Sequence, residues 1–451
     1  MPPQRFPKLI KKLHQFFDNE LFRRVLRNSG YLFSATGVSA FLSMIQGILA
    51  ARLLGVELFG VLGTITMFVS VLNKLASFRI GELVVKYVGE FDEKNDPQRA
   101  SAVFKAAMMV EMATSLVAFG LVWFSASLGA QYFAKDISLA DLFRYYGIII
   151  LFNLVSESST GLLQISDRFQ RLAGWNVLQS IFTLLIITTA YFLNGTLSHI
   201  LLAYMVGKAV GAFGLMLNAL REAKNRWGHD WWKVNLSLLK PQQKELTHFA
   251  ISTNLSASIS LVTKDSEILW VSLFRSNAEV GYYKLALALA NMVQLPTSPL
   301  PQVTYPELSR EVSRKNWKNV RYILRQGSLL AGGYALLATI ALTALGRPLI
   351  SLIYTKEFLP AYPALIILLL GYLVADTFYW RRIALLSFGR PDFPVKLNFI
   401  LSLLKISAAV ILIPRYGYLA SAGLLAAFYW LGSLISWQKV RQLLSKGEQS
   451  G

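Results

Sequence analysis

Cysteine is absent from this chain of 451 residues, which rules out disulfides, thiol nucleophiles and cysteine metal sites. Histidine is almost as scarce: His14, His199, His229 and His248 are scattered, and none stands at a metal-ligand spacing. Charged residues make up only 16% of the chain, where a soluble chain carries about a quarter. The shortage falls mainly on the acids, with 25 Asp and Glu against 45 Lys and Arg, a formal charge of +20. In a soluble protein that excess would point to nucleic acid. Here anionic membrane lipids offer basic loops a simpler partner, and no nucleic acid is expected. Neither a metal nor any other cofactor is expected.

What is present is apolar: 54% of residues are hydrophobic, with a mean hydropathy of +0.45. A bilayer core about 30 Å thick needs about 20 consecutive apolar residues in a helix. Uncharged runs of that order extend from Tyr31 to Ala51, Met112 to Ala134, Leu172 to Ser198, Gln326 to Gly346 and Tyr416 to Gln438. The fold class expected is therefore an all-α polytopic membrane protein. Twelve spans are placed near 31–53, 58–78, 105–131, 142–163, 173–194, 197–218, 249–273, 281–306, 326–345, 360–382, 395–413 and 416–438. Tight links such as Leu193-Asn194-Gly195-Thr196 and Pro414-Arg415-Tyr416-Gly417 imply antiparallel neighbours.

Positive residues orient these spans, because cytoplasmic loops are enriched in Lys and Arg. The basic residues concentrate in alternate segments, starting with the N-terminal one. The opposite side carries only Arg52, Lys135, Arg275, Arg347, Lys356 and Arg415 in its loops or at their margins. Both termini are therefore expected in the cytoplasm, with the chain crossing the plasma (inner) membrane many times. Residues 1–30 read as a cytoplasmic segment whose Leu9, Leu13, Phe16, Phe17 and Val25 recur roughly at helical spacing, an amphipathic surface helix. No cleavable signal peptide is visible. Spans one to six make an N-lobe over 31–218, and spans seven to twelve a C-lobe over 248–438. Between them, the basic linker 219–247 holds Trp227, Trp231 and Trp232 and reads as an interfacial belt. Residues 439–451 form a cytoplasmic tail.

The lobes repeat one another. Leu53-Leu54-Gly55-Val56-Glu57-Leu58-Phe59-Gly60 follows span one, and Leu273-Phe274-Arg275-Ser276-Asn277-Ala278-Glu279-Val280-Gly281 follows span seven. In each, an aliphatic helix end leads through a short link to a glutamate and a glycine opening the next helix. Both turns follow an odd-numbered span. The halves are thus expected to be two parallel-related six-helix bundles around a central cavity.

The first of these turns, extended to Ala51-Arg52, resembles the "R-x-LG-x-E-x-[FY]-G" turn of the polysaccharide-transport family, which includes oligosaccharide and O-antigen flippases. That family lies within the multidrug/oligosaccharidyl-lipid/polysaccharide exporter superfamily. Val84 to Glu93 is similar to the family's "vKYvgE" segment. Asp265 to Tyr283 and the stretch ending Tyr305-Pro306-Glu307-Leu308-Ser309 also stand at family-like spacing. The resemblance implies a transporter, not an enzyme, that accepts an oligosaccharide on an undecaprenyl-type pyrophosphate and exposes it outside for surface polysaccharide assembly, including that of lipopolysaccharide. It also implies polymerase or ligase proteins as partners. A monomer is expected.

Charges placed within the spans fit such a substrate, since a charge at mid-bilayer is costly unless it meets water, a partner or a ligand. A pyrophosphate needs cations in a low-dielectric setting. Lys264 and Lys405 lie mid-span and are the first candidates to attract it, followed by Lys284, Lys74 and Lys208. Asp265, Glu267, Glu111, Glu157 and Asp376 are candidate cavity acids or coupling sites. Each charge has an alternative use in structural pairing, Lys264 and Asp265 with Glu267 or Lys284 for example. Pro296, Pro299, Pro301 and Pro306 remove backbone donors from span eight and are expected to kink it. A drug or cation antiporter of the same superfamily would instead need an acid-dominated cavity. A membrane-embedded polysaccharide-assembly enzyme would need a sizeable loop or soluble domain.

Overall fold

The structure, a computed structural model, describes residues 20–77, 80–261 and 266–450. These residues are helical almost throughout, with no strand among them. That is the all-α membrane fold that the apolar runs call for: a lipid-embedded backbone must satisfy its hydrogen bonds within the segment. Nine stretches among the described residues are long and apolar enough to cross a bilayer. The first, Ser34–Glu93, covers the positions of spans one and two. Spans seven and eight are not among the nine. Span seven is carried by two separate helices, with residues 262–265 between them outside the description, and span eight is interrupted.

The helices are α1 (Glu20–Ala76), α2 (Ile80–Leu83, continuing through a π turn into Gly89–Glu93), α3 (Pro97–Leu128), α4 (Ala140–Gly147), α5 (Ser156–Ile165), α6 (Phe169–Phe192), α7 (Leu197–Trp227) and α8 (Gln243–Ser260). They continue as α9 (Glu267–Phe274), α10 (Asn277–Gln294), α11 (Leu300–Ser313), α12 (Trp317–Leu349), α13 (Ala361–Thr377), α14 (Arg381–Ser387), α15 (Asp392–Tyr416) and α16 (Tyr418–Ser450). Span four is interrupted between α4 and α5 by the 3-10 stretch Ile148–Asn153. Span eight is interrupted between α10 and α11, where Pro296 and Pro299 lie in a turn; Pro301 falls in the first turn of α11 and Pro306 inside it. The described residues gather into two compact units, drawn from Met1–Gly47, Ala76–Leu121 and Gly147–Asn254, and from Ile48–Leu75, Val122–Tyr146 and Leu255–Gly451. This grouping cuts across the sequence halves.

In the first unit, α6 and α7 form a close hairpin. Gly207, Gly211 and Gly214 on α7 leave the room taken by Thr183, Gln179 and Trp175 on α6, the small-residue packing that brings membrane helices together. Because α7 runs on to Trp227, it carries the expected belt back onto α3, where Trp227 and Trp231 lie 5.7 and 5.4 Å from the Phe104 ring. Both pack against a buried cluster that includes Val84, Tyr87 and Leu162. Trp232 alone of the three is exposed.

The second unit contains the repeated turns, and they touch each other. At Gly55 the backbone of α1 takes φ 68° and ψ −179°, a conformation tolerated chiefly by glycine, and helix resumes at Val56. A Cβ on Gly60 would strike the Asn277 carbonyl, and one on Gly281 would strike the Val56 carbonyl. One turn further on, a Cβ on Gly63 would come within 2.8 Å of Lys284 Cδ. With Val56 set equivalent to Asn277, Gly60 to Gly281 and Gly63 to Lys284, the first two contacts are reciprocal and the third joins equivalent positions, as in a two-fold contact. Substituting Gly60 or Gly281 by leucine is expected to destabilise the protein by at least about 1–3 kcal/mol, read as a lower thermal midpoint in detergent. Gly120→Leu, where a Cβ meets nothing within 4 Å, should leave the midpoint unchanged; equal losses at all three sites would contradict the contact.

Candidate functional site

Buried acids organise three polar nodes. In the second unit, α9 opens with Glu267, whose carboxylate is buried and accepts from Lys405 on α15, Tyr283 on α10 (2.9 Å) and Ser421 on α16 (2.8 Å). Four helices thus converge on one carboxylate. Lys405 is itself buried, with its ammonium 5.7 Å from the Phe428 ring. The cavity beside the pair measures about 10 Å³, about one water. In this conformation Glu267 satisfies Lys405, one of the two lysines the sequence ranks first. The other, Lys264, lies with Asp265 outside the described residues.

The first unit has a second node where span four is interrupted. α5 begins at Ser156, and its first amides have no partners within the helix. Glu111 on α3 supplies them, accepting from the Glu157 amide (2.7 Å), the Ser158 amide (2.9 Å) and the Ser158 hydroxyl (2.6 Å). A carboxylate at a helix N-terminus is favoured by the helix dipole as well as by these donors. Lys208 on α7 lies within electrostatic reach of both Glu157 and Glu111.

The third node lies at the interruption of span eight. Thr297, in the turn between α10 and α11, donates to Asp376 Oδ1 on α13 at 3.0 Å. Asp376 is buried, and its Oδ2 has no hydrogen-bond partner among the described residues. Arg381 is near enough to Asp376 to feel its charge; it donates to the Ser433 hydroxyl (2.9 Å) and lies 5.6 Å from the Tyr429 ring.

Lys284 stands apart from these nodes. Its ammonium sits 4.1 Å from the Phe59 ring centroid and 3.4 Å from the Phe59 carbonyl, against Gly63. Among the described residues it makes no ion pair. Lys74 is exposed in the last turn of α1. Within the second unit, Lys74, Lys284 and Lys405 therefore have separate surroundings.

Sequence reasoning recognised three other cations only as loop charges. Arg52 donates to the carbonyls of Ile353 (2.7 Å), Tyr354 (3.1 Å) and Leu352, closing the end of the π turn that follows α12. Lys135 donates to the Tyr132 and Leu273 carbonyls, each at 2.6 Å, and burial lowers its ammonium below the usual lysine range. Arg275 pairs with Glu279 at 2.8 Å and donates to the Pro414 carbonyl at 3.1 Å, while Glu279 accepts the Tyr418 amide. Asn277 adds a bond to the Ala134 carbonyl at 2.8 Å. Cations at helix C-termini satisfy carbonyls that the helix leaves open. Together these bonds clasp the ends of early and late helices inside the second unit.

Residues 25–312 match a family model described as polysaccharide biosynthesis protein. The chain belongs to that family. One curated relative is the inner membrane protein YghQ of Escherichia coli strain K12, 26% identical over 355 residues that make up 78% of this chain and 98% of that one. The fold of this polysaccharide biosynthesis protein is similar to that of a multidrug resistance MATE family transporter of the MOP superfamily in an inward-facing conformation. The TM-score there is 0.75 at 12% identity, covering 92% of this chain and 96% of the other. It is also similar to lipid II flippase MurJ in an inward closed conformation, with a TM-score of 0.72 at 17% identity, covering 92% of this chain and 89% of that one. This family member therefore has the fold of MOP-superfamily transporters.

The buried pair sets a quantitative expectation. Removing one partner of a buried ion pair costs about 3–5 kcal/mol, because it strands the other charge. Glu267→Gln and Lys405→Met should each lower the thermal midpoint sharply, and the double variant should recover part of the loss. Strictly additive losses in a double-mutant cycle would show that the two side chains do not act as a pair.

Proposed function

We propose that this chain moves a lipid-linked oligosaccharide, carried on a polyprenyl pyrophosphate, across the inner membrane by alternating access, for surface polysaccharide assembly. The observation that carries this reading is a transporter fold in a polysaccharide biosynthesis family. The name of the YghQ relative supports the inner membrane as its place, and the distribution of Lys and Arg supports cytoplasmic termini. Transport of this kind breaks no covalent bond in the substrate, so the chain acts as a carrier and not as an enzyme. Polymerase or ligase proteins would take up the delivered oligosaccharide, and the carrier works as a monomer.

Lys284 is the cation best suited to the pyrophosphate in the described conformation, because no carboxylate among the described residues neutralises it and the Phe59 ring holds its ammonium in place. Lys264, Lys208 and Lys74 remain proposed contributors, and Lys405 would join them only on release from Glu267. A cationic drug would need free acids, yet Glu267 and Glu111 each already receive three donors. Asp376, with one oxygen open, is the acid best placed to take a coupling proton or cation. Alternating access also requires the clasp around Arg52, Lys135 and Asn277 to open, exposing the outer side.

The test is reconstitution in liposomes with a polyprenyl-pyrophosphate oligosaccharide, measuring access of a sugar-modifying enzyme from the opposite leaflet. Wild type should translocate, and Lys284→Gln should slow translocation by about tenfold, the equivalent of about 1.4 kcal/mol. Translocation by Lys284→Gln at the wild-type rate would remove Lys284 from the site. No translocation by wild type would overturn the flippase reading.

A further inference from the structure

Beside the Asp376 node, and lined by other residues, the second unit holds a cavity of about 640 Å³ between α12, the junction of α13 with α14, and α16. Its floor is apolar, formed by side chains such as Leu324, Phe378, Val440 and Leu444. Its rim is cationic: Arg321 and Arg325 stand one turn apart on α12, and Arg441 faces them from α16. Arg321 is partly neutralised by Glu448, at 2.7 and 2.9 Å. Neither Arg325 nor Arg441 makes an ion pair among the described residues. The Trp437 ring, 5.6 Å from the Arg441 guanidinium, helps to hold that side chain in position. Ser328 accepts the Trp380 indole N–H at 2.6 Å, which leaves the Ser328 hydroxyl proton free to donate to a ligand.

We propose that this cavity binds the headgroup of an anionic phospholipid. Arg325 and Arg441 share one opening with no carboxylate paired to either among the described residues, and the guanidinium fork matches two phosphate oxygens. The rest of the cavity suits a lipid better than a free phosphate. Its apolar floor opens beside Leu329, and exposed Leu336 and Ile340 continue that face along α12 at helical spacing, a track for an acyl chain. Basic pockets between membrane helices with tryptophan at the interface are where such headgroups settle. The site is independent of the flippase reading, since it uses none of the residues proposed to meet the oligosaccharide.

The test uses full-length protein in nanodiscs of equal phosphatidylglycerol and phosphatidylcholine, with native mass spectrometry of the lipid that stays bound. Wild type should retain phosphatidylglycerol in preference, and Arg325→Gln with Arg441→Gln should lower that preference by about fivefold for each arginine removed. Lys315→Gln with Lys318→Gln, the same charge change outside the cavity, should leave it intact. The proposal is overturned if wild type retains both lipids equally, a result that needs no variant to fold. It is also overturned if both double variants lose the preference alike, or if inorganic phosphate displaces phosphatidylglycerol at millimolar concentration, which would mark a site for free phosphate.

Discussion

A helix interrupted inside a bilayer exposes amides and carbonyls that lipid cannot hydrogen-bond, and a charge there finds no water. Much of the polar chemistry of this protein answers that constraint. The broken start of α5 is closed by Glu111, the end of the π turn after α12 by Arg52, and the end of α9 by Lys135. Glu267 gathers a lysine, a tyrosine and a serine from three other helices around one carboxylate. Most of these bonds join helices distant in sequence, so the groups that make interruptions tolerable also fix how helices pack.

The repeated turn shows how one local solution can be used twice. A glycine one helical turn after the start of each helix lets the partner backbone approach, and the two glycines do this for each other. Lys284 enters the same contact one turn deeper, opposite Gly63, where the absence of a side chain makes room for a long cation. In the proposed cycle this contact and the carbonyl clasp beside it are the bonds that must part. They rest on backbone carbonyls and close packing more than on paired charges, which suits a contact meant to open, because parting leaves few stranded ions.

Composition and the spacing of apolar runs were enough to read an all-helical membrane chain, because lipid imposes a length and a polarity on each crossing. The repeated turn was legible as two short matching stretches, although nothing in them revealed that they would touch. The charges were harder. Lys405 and Glu267 are far apart in sequence, and only the packing of α9 on α15 makes them a pair, so Lys405 could be read as a free cation. Arg52 and Lys135 could be read as loop charges because the carbonyls they meet have no sequence signature. The packing of Trp227 and Trp231 on Phe104 depends on the extension of α7 beyond the membrane-length run, which has no sequence signature.

Pro296, Pro299 and the carboxylate of Asp376 meet at one place, the turn around Thr297. A break next to a buried acid is where protonation or cation binding could bias the geometry of a helix, and this gives the proposed cycle a physical lever. The most direct test of the cycle exploits the absence of native cysteine. Ala134→Cys and Asn277→Cys, introduced together, can be joined across the clasp by a short thiol crosslinker and compared with each single variant. If alternating access operates as described, crosslinking should stop translocation in the double variant alone, while translocation at the same rate with the clasp locked would contradict it.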